Sequence, residues 1–213
     1  RGDSVVDLNR HPRHVLLSQA GAEGPAKISK ARSLGGGAGG LGSPVIQYLA
    51  AAGIGHLTII DDDRVEISNL QRQVIHGKSE IGILKAESAK RFVYKLDPSI
   101  SVDAITERLD KSNAENLFRG HDIIIDGTDN IPTRYLIDDT CKILGLPWIY
   151  GSVYRFEGQV SVFNYKGGPC YSDLFPEAPP PELVPSCSEA GVLGVLPGFC
   201  LLYTSDAADD SGC

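Results

Sequence analysis

Apolar residues along this chain fall into two alternating rhythms. The short β-branched runs His56-Leu-Thr-Ile-Ile-Asp61 and His121-Asp-Ile-Ile-Ile-Asp126 each end in an acid and read as buried parallel strands. Leu34 to Gly36, Ile100 to Thr106 and Trp148 to Tyr150 read as further strands. Between them the apolar spacing becomes helical. Val45, Ile46, Leu49 and Ala50 share one face, opened by Ser43-Pro44 and stopped by Gly53. Ala86, Ala89, Val93 and Leu96 predict a helix over residues 85–96, ended by Asp97-Pro98. Asn113 to Arg119 predicts a short helix. Pro132 opens another, in which Leu136, Ile137, Thr140, Cys141 and Leu144 share a face before Gly145 closes it. Strand and helix alternating in this order predict an α/β fold: a Rossmann-like, doubly wound, mainly parallel sheet with helices on both faces.

Three stretches depart from that rhythm. Gly35 and Gly36 stand in the first strand, where bare backbone is expected to weaken pairing and packing. Gly158 to Phe163 alternates like a half-exposed strand, which predicts an antiparallel extension near residues 155–164. Gly167 to Pro185 is proline-rich and reads as a long loop. The chain thus divides into an N-terminal helical segment (1–31), a main domain (32–198) and an atypical tail (199–213). The tail has no amphipathic period and reads as non-native or frayed. A chain with no Met that begins at Arg1 reads as a fragment, truncated on its C-terminal side.

Composition narrows the function. Hydrophobic residues are 42% and charged ones 22%, enough for a core. Asp and Glu outnumber Lys and Arg 27 to 20, so no basic excess points to nucleic acid or an anionic membrane surface. Gly53, Gly55 and His56 interrupt the long apolar stretch from Tyr48 to Ile60, leaving it too short to span a bilayer. Five irregularly spaced cysteines do not form a secreted disulfide pattern, which favours a cytoplasmic setting.

The chemistry gathers at strand ends. Gly37-Ala-Gly39-Gly40-Leu-Gly42 is a Gly-x-G-x-x-Gly turn, whose bare backbone lets N–H groups approach phosphate at a helix start. Asp61, at the end of the next strand, can accept hydrogen bonds from ribose hydroxyls. Together they predict nucleotide binding; a tight turn that only packs helix on strand is the duller reading. Ser68-Asn69-Leu70-Gln71-Arg72-Gln73 follows the second strand and Gly127-Thr-Asp129-Asn130 the fourth, where open α/β sheets bind ligands. With Arg155-Phe-Glu-Gly-Gln159 and Ser186-Cys-Ser-Glu-Ala-Gly191, these motifs resemble the ThiF/MoeB-type adenylyltransferases, which are related to ubiquitin-activating enzymes.

That resemblance implies ATP- and Mg²⁺-dependent activation of the C-terminal glycine carboxylate of a ubiquitin-like sulfur-carrier protein, as an acyl-adenylate with pyrophosphate released. It places Gly40 on the phosphates and Asp61 on the ribose. It puts Asn69, Arg72 and Lys85 around the triphosphate and Asp129 on the metal. Arg13 matches an arginine that reaches into the partner subunit of a homodimer, although Arg10-His-Pro-Arg13-His14 departs from the family's usual segment. In several relatives the cysteine matching Cys187 takes the acyl group; an inert thiol is the alternative. A structural zinc tetrad is not expected, because Asp173 replaces a ligand cysteine in Cys170-Tyr-Ser-Asp173 and the second cysteine pair is absent. Residue by residue, Arg72 could be a solvated surface arginine, and Asp129 and Asn130 could cap a helix. The competing functions are an NAD-dependent oxidoreductase using the same turn and Asp61, and a non-catalytic nucleotide-binding relative.

Overall fold

In the computed structural model, which describes residues 10–16, 21, 23–154, 157–178, 194 and 197, six strands form one sheet. They are β1 (Arg32–Gly36), β2 (His56–Ile60), β3 (Ser101–Ile105), β4 (Ile123–Asp126), β5 (Trp148–Tyr154) and β6 (Glu157–Phe163). Their order is β3-β2-β1-β4-β5-β6; all neighbours are parallel except β5 and β6, which run antiparallel. The expected antiparallel extension is therefore β6.

The side-chain alternation of the strands sorts the core into two layers. Leu57 and Ile59 point to one face, packing with Val102 against Ile46 and Ala50 of α3 (Gly42–Ala51) and Ala86, Ala89 and Val93 of α4 (Lys85–Leu96). Leu34, Ile60 and Ile124 point to the other. There they meet Phe118 of α5 (Ala114–Phe118), Ile137 and Cys141 of α6 (Ile131–Leu144), and Trp148 and Phe163. Helix boundaries follow the local chemistry. Asn130 caps α6 by accepting the Thr133 N–H at 2.9 Å, and Gly145 ends it in the left-handed conformation.

The glycine-bearing strand is not a weak point of pairing. β1 lies in the sheet interior, paired along Arg32 to Gly36 with β2 and from Ser33 with β4. A methyl on Gly36 would already lie 3.6 Å from Thr128 Cγ2, so the strand is covered there by the loop after β4. Of the N-terminal residues, α1 (Pro12–Val15) and α2 (Glu23–Ile28) are described, and the tail 199–213 lies outside the described residues.

The stretch read as a loop from Gly167 contains a short helix, α7 (Tyr171–Leu174), which tertiary contacts hold. Asp138 on α6, almost fully buried, accepts the N–H groups of Tyr171 (2.9 Å) and Ser172 (3.2 Å) and the indole N–H of Trp148 (3.2 Å). The Lys142 ammonium lies 2.8 Å from its other side. Burial pushes the Asp138 carboxyl up, but the Lys142 ammonium and the two backbone donors outweigh it and hold the group below the usual carboxylate range. Asp173 accepts the Cys170 N–H at 2.7 Å and closes the first turn of α7.

At the N-terminal end of the strands, two buried histidines share one hydroxyl. Thr58 Oγ1 lies 3.1 Å from His56 Nε2 and 2.8 Å from His121 Nε2, and Ser101 Oγ lies 3.0 Å from His56 Nδ1. Burial, with the Arg32 charge adding to it, holds both rings below the usual histidine range. A lowered folded-state pKa means the pair supports folding above about pH 6.5, and that support is lost as pH falls through the lowered values. Buried Asp126 pulls the other way over the same range, so the effect is read as a difference. A His56→Gln/His121→Gln variant should lose less stability than the wild type between pH 7.5 and 5.5 in urea melts. Identical pH dependence in both proteins would refute this.

Candidate functional site

The C-terminal ends of β1, β2 and β4 surround a crevice of about 460 Å³. Its floor is the glycine turn. Gly37 has φ +91° and donates its N–H to Ile60 O at 2.8 Å, and a methyl there would meet Gly127 O at 2.9 Å. Gly42 does not line the crevice; it is buried so that α3 can close on the turn, and a methyl would sit 2.0 Å from Gly37 O. Gly39 and Gly40 line the crevice in front of Gln73 and Arg72.

Nine of the residues expected at the site line this one crevice: Gly37, Gly39, Gly40, Asp61, Asn69, Arg72, Lys85, Asp129 and Asn130. Asp61 sits at the end of β2 with both carboxylate oxygens engaged, Oδ2 by the Ala38 N–H (2.7 Å) and Oδ1 by the Asp63 N–H (2.9 Å). Burial raises its pKa, partly offset by those donors and the Lys85 charge. Asn69 is buried in a 3-10 turn (Ile67–Asn69) and accepts the Glu66 N–H. The turn brings Arg72 round beside Gly40, and its guanidinium donates to Ser68 O at 3.2 Å. Lys85, the first residue of α4, is buried with its ammonium 2.8 Å from Asp63. That pair offsets the unfavourable placing of a cation at a helix start. Asp129 is exposed on the loop after β4, whereas Asn130 is the helix cap.

Ser68, Leu70 and Gln71 do not line the crevice. Ser68 Oγ donates to Glu66 instead, and Gln71 lies against Gly194. Arg13 is exposed on α1, far from the crevice of its own chain. The neighbouring Arg10 bonds to Asp97 and to Ala50 O, and His11 lies beside Gly53, so α1 sits where α3 and α4 end. The ten residues of α3 separate that end from the glycine turn by about 15 Å. Cys187, Arg155, Cys200 and Cys213 lie outside the described residues.

Sequence reasoning missed several lining residues. Asp62 and Asp63 follow Asp61, and oxygens of the three lie within 4.8 Å of one another, but Asp61 and Asp63 are already bonded as described. Glu107, Arg108 and Leu109 reach the crevice only because β3 pairs with β2. Asp126 ends β4 fully buried. Its Oδ1 accepts both the N–H and the hydroxyl of Thr128, at 2.9 and 2.6 Å, and its Oδ2 lies 3.4 Å from Arg134 Nε. Burial, against the pull of Arg134, raises this carboxyl to about 6. The signal for it was in the sequence: an apolar run ending in acid.

A parallel sheet ordered 3-2-1-4-5, with a glycine turn and a polar crevice at its C-terminal edge, defines a Rossmann-like α/β protein. The chain belongs to the ThiF family, whose profile matches residues 11–205. It is 50% identical over 194 residues to the SAMP-activating enzyme E1 of Haloferax volcanii, covering 91% of this chain and 72% of that protein. It is 46% identical over 196 residues to the sulfur carrier protein adenylyltransferase of Thermus thermophilus, covering 90% and 72%. Among solved structures, the E. coli tRNA N6-threonylcarbamoyladenosine dehydratase TcdA in complex with AMP superposes with TM-score 0.63 at 26% identity, covering 70% of this chain and 60% of that one.

Proposed function

We propose that this protein adenylates the C-terminal glycine carboxylate of a ubiquitin-like sulfur-carrier protein, using ATP in the crevice and releasing pyrophosphate. The observation that carries the reading is the convergence of the glycine turn, Arg72, Lys85 and Asp129 on one crevice. The relatives named as adenylyltransferase and activating enzyme, and the AMP held by TcdA, support it.

The residues fit the nucleotide and its metal. Gly39 and Gly40 leave backbone open beside the Gln73 and Arg72 side chains, which suits phosphate oxygens. Six acidic side chains and four basic ones line the crevice, so a triphosphate needs added positive charge to enter. Asp129 is the carboxylate that would hold Mg²⁺, which when bound offsets the charge of the departing pyrophosphate. The carrier carboxylate forms a bond to the α-phosphorus while the bond from that phosphorus to the pyrophosphate oxygen breaks. Arg72 and Lys85 counter the repulsion between the attacking and attacked anions, and Asp61 orients the ribose. The carrier docks along β6 and the following loop, its tail running toward Arg72 and Asp129.

Arg13 cannot reach the crevice of its own chain across the length of α3, so it acts in a homodimer, on the partner's site. Among the described residues no helix is long and apolar enough to cross a membrane, and we place the activity in the cytoplasm. The test is ATP–pyrophosphate exchange by the full-length protein with carriers ending in Gly-Gly, and with NADH binding measured by calorimetry alongside. Carrier-dependent exchange is expected. Absence of exchange with several carriers, or binding of NADH in preference to ATP, overturns the reading.

A further inference from the structure

A buried histidine lies under the glycine turn. His76 is 7% exposed, and its Nε2 is 2.9 Å from Ala38 O while its Nδ1 is 2.7 Å from Ser88 Oγ. Ser88, fully buried on α4, in turn donates to Glu80 Oε2 at 2.5 Å. A carbonyl oxygen can only accept, so Nε2 carries a hydrogen. The Ala38 backbone is therefore held on both sides, its N–H by Asp61 and its C=O by His76.

Ala38 C=O and Gly39 N–H belong to one peptide unit, and no peptide bond in the structure is cis. In a trans peptide the two groups point in opposite directions. With the carbonyl turned inward to His76, the Gly39 N–H is turned outward, on a residue that lines the crevice. It makes no hydrogen bond among the described residues. Donation to the carbonyl also polarises the peptide, making that N–H a stronger donor.

We propose that His76, backed by Ser88 and Glu80, is a positioning residue of the nucleotide site, aiming the Gly39 N–H at a phosphate oxygen. The inference rests on the proposed function, since it takes the crevice ligand to be a nucleoside phosphate. Proton counting adds a second consequence. Ser88 has one hydroxyl hydrogen, so with Glu80 ionised the complete chain of bonds requires hydrogen on both ring nitrogens. The fully bonded network is thus the protonated form. Glu80 and Asp61 favour that form and Lys85 opposes it, while burial, the largest influence, holds the ring below the usual histidine range. Proton loss breaks one link and leaves a neutral, weaker donor on Ala38.

The experiment measures ATP binding to the full-length protein by calorimetry from pH 5.5 to 8.5, with exchange kinetics at pH 7.5. His76→Phe, which keeps the ring bulk without a donor, should weaken ATP binding about tenfold and raise KM for ATP similarly. Its kcat at saturating ATP should stay within about threefold of wild type. His76→Gln, which retains an N–H, should recover part of the affinity. Ser88→Ala leaves the ring in place and should shift the pH dependence of ATP affinity to lower pH. Should His76→Phe not fold, His76→Gln and Ser88→Ala decide the matter. Wild-type ATP affinity at every pH in the variants that fold would overturn the positioning role. Failure of the wild type to bind ATP would instead overturn the functional reading beneath it.

Discussion

Arg72→Ala should lower carrier-dependent ATP–pyrophosphate exchange by about 100- to 1,000-fold, the scale seen when one preorganised charge-stabilising donor is lost. The Arg72 methylenes lie beside Gly40 and, among the described residues, its guanidinium is tied only to Ser68 O, so little of the described fold depends on it. Its removal leaves three basic side chains against six acidic ones, deepening a balance that already opposes a triphosphate. Thermal melts should therefore match the wild type while exchange collapses. Arg72→Lys keeps the charge but loses the planar fork and should recover only part of the rate. Exchange by Arg72→Ala within threefold of wild type would remove this residue from the mechanism.

The largest expected effect on stability is at Asp138. Truncation to alanine strips acceptors from the Trp148 indole N–H and the Tyr171 and Ser172 N–H groups, and leaves Lys142 without its nearest carboxylate. Leaving three N–H donors without this buried carboxylate costs about 3–5 kcal/mol in all. For a domain of this size the midpoint should fall by about 10 °C. Asp138→Asn keeps one carbonyl oxygen and should fall between the two. A midpoint for the alanine variant within about 2 °C of wild type would mean that α7 is held by other contacts.

Periodicity and capping residues marked the helices well. The helix expected over 85–96 is α4, and the one opening at Pro132 is α6, capped by Asn130 and closed by Gly145. The strand expected over 56–61 is β2 with one residue fewer. These succeed because each buries a regular stripe on one layer. α7 escaped notice because its four residues have no period of their own; they turn because a carboxylate thirty-odd residues earlier accepts their N–H groups. The site shows the same division. The glycine turn and the Ser68–Gln73 and Thr128–Asn130 segments were legible as motifs. His76 and the residues after β3 were not, since only the folded sheet brings them to the turn. Within Ser68–Gln73, the tight turn sends Asn69 and Arg72 inward and leaves Ser68 aside, which a string of letters does not reveal.

The joint between α6 and α7 has a chemical consequence. It is built from a carboxylate, two amides, an indole and an ammonium, groups that make their bonds without a thiol. Two thiols sit close by, Cys141 made inert by burial and Cys170 at the start of α7, yet neither carries the joint. The bonds that hold α7 on α6 thus run through oxygen and nitrogen atoms, so their strength follows pH rather than the redox state of either thiol.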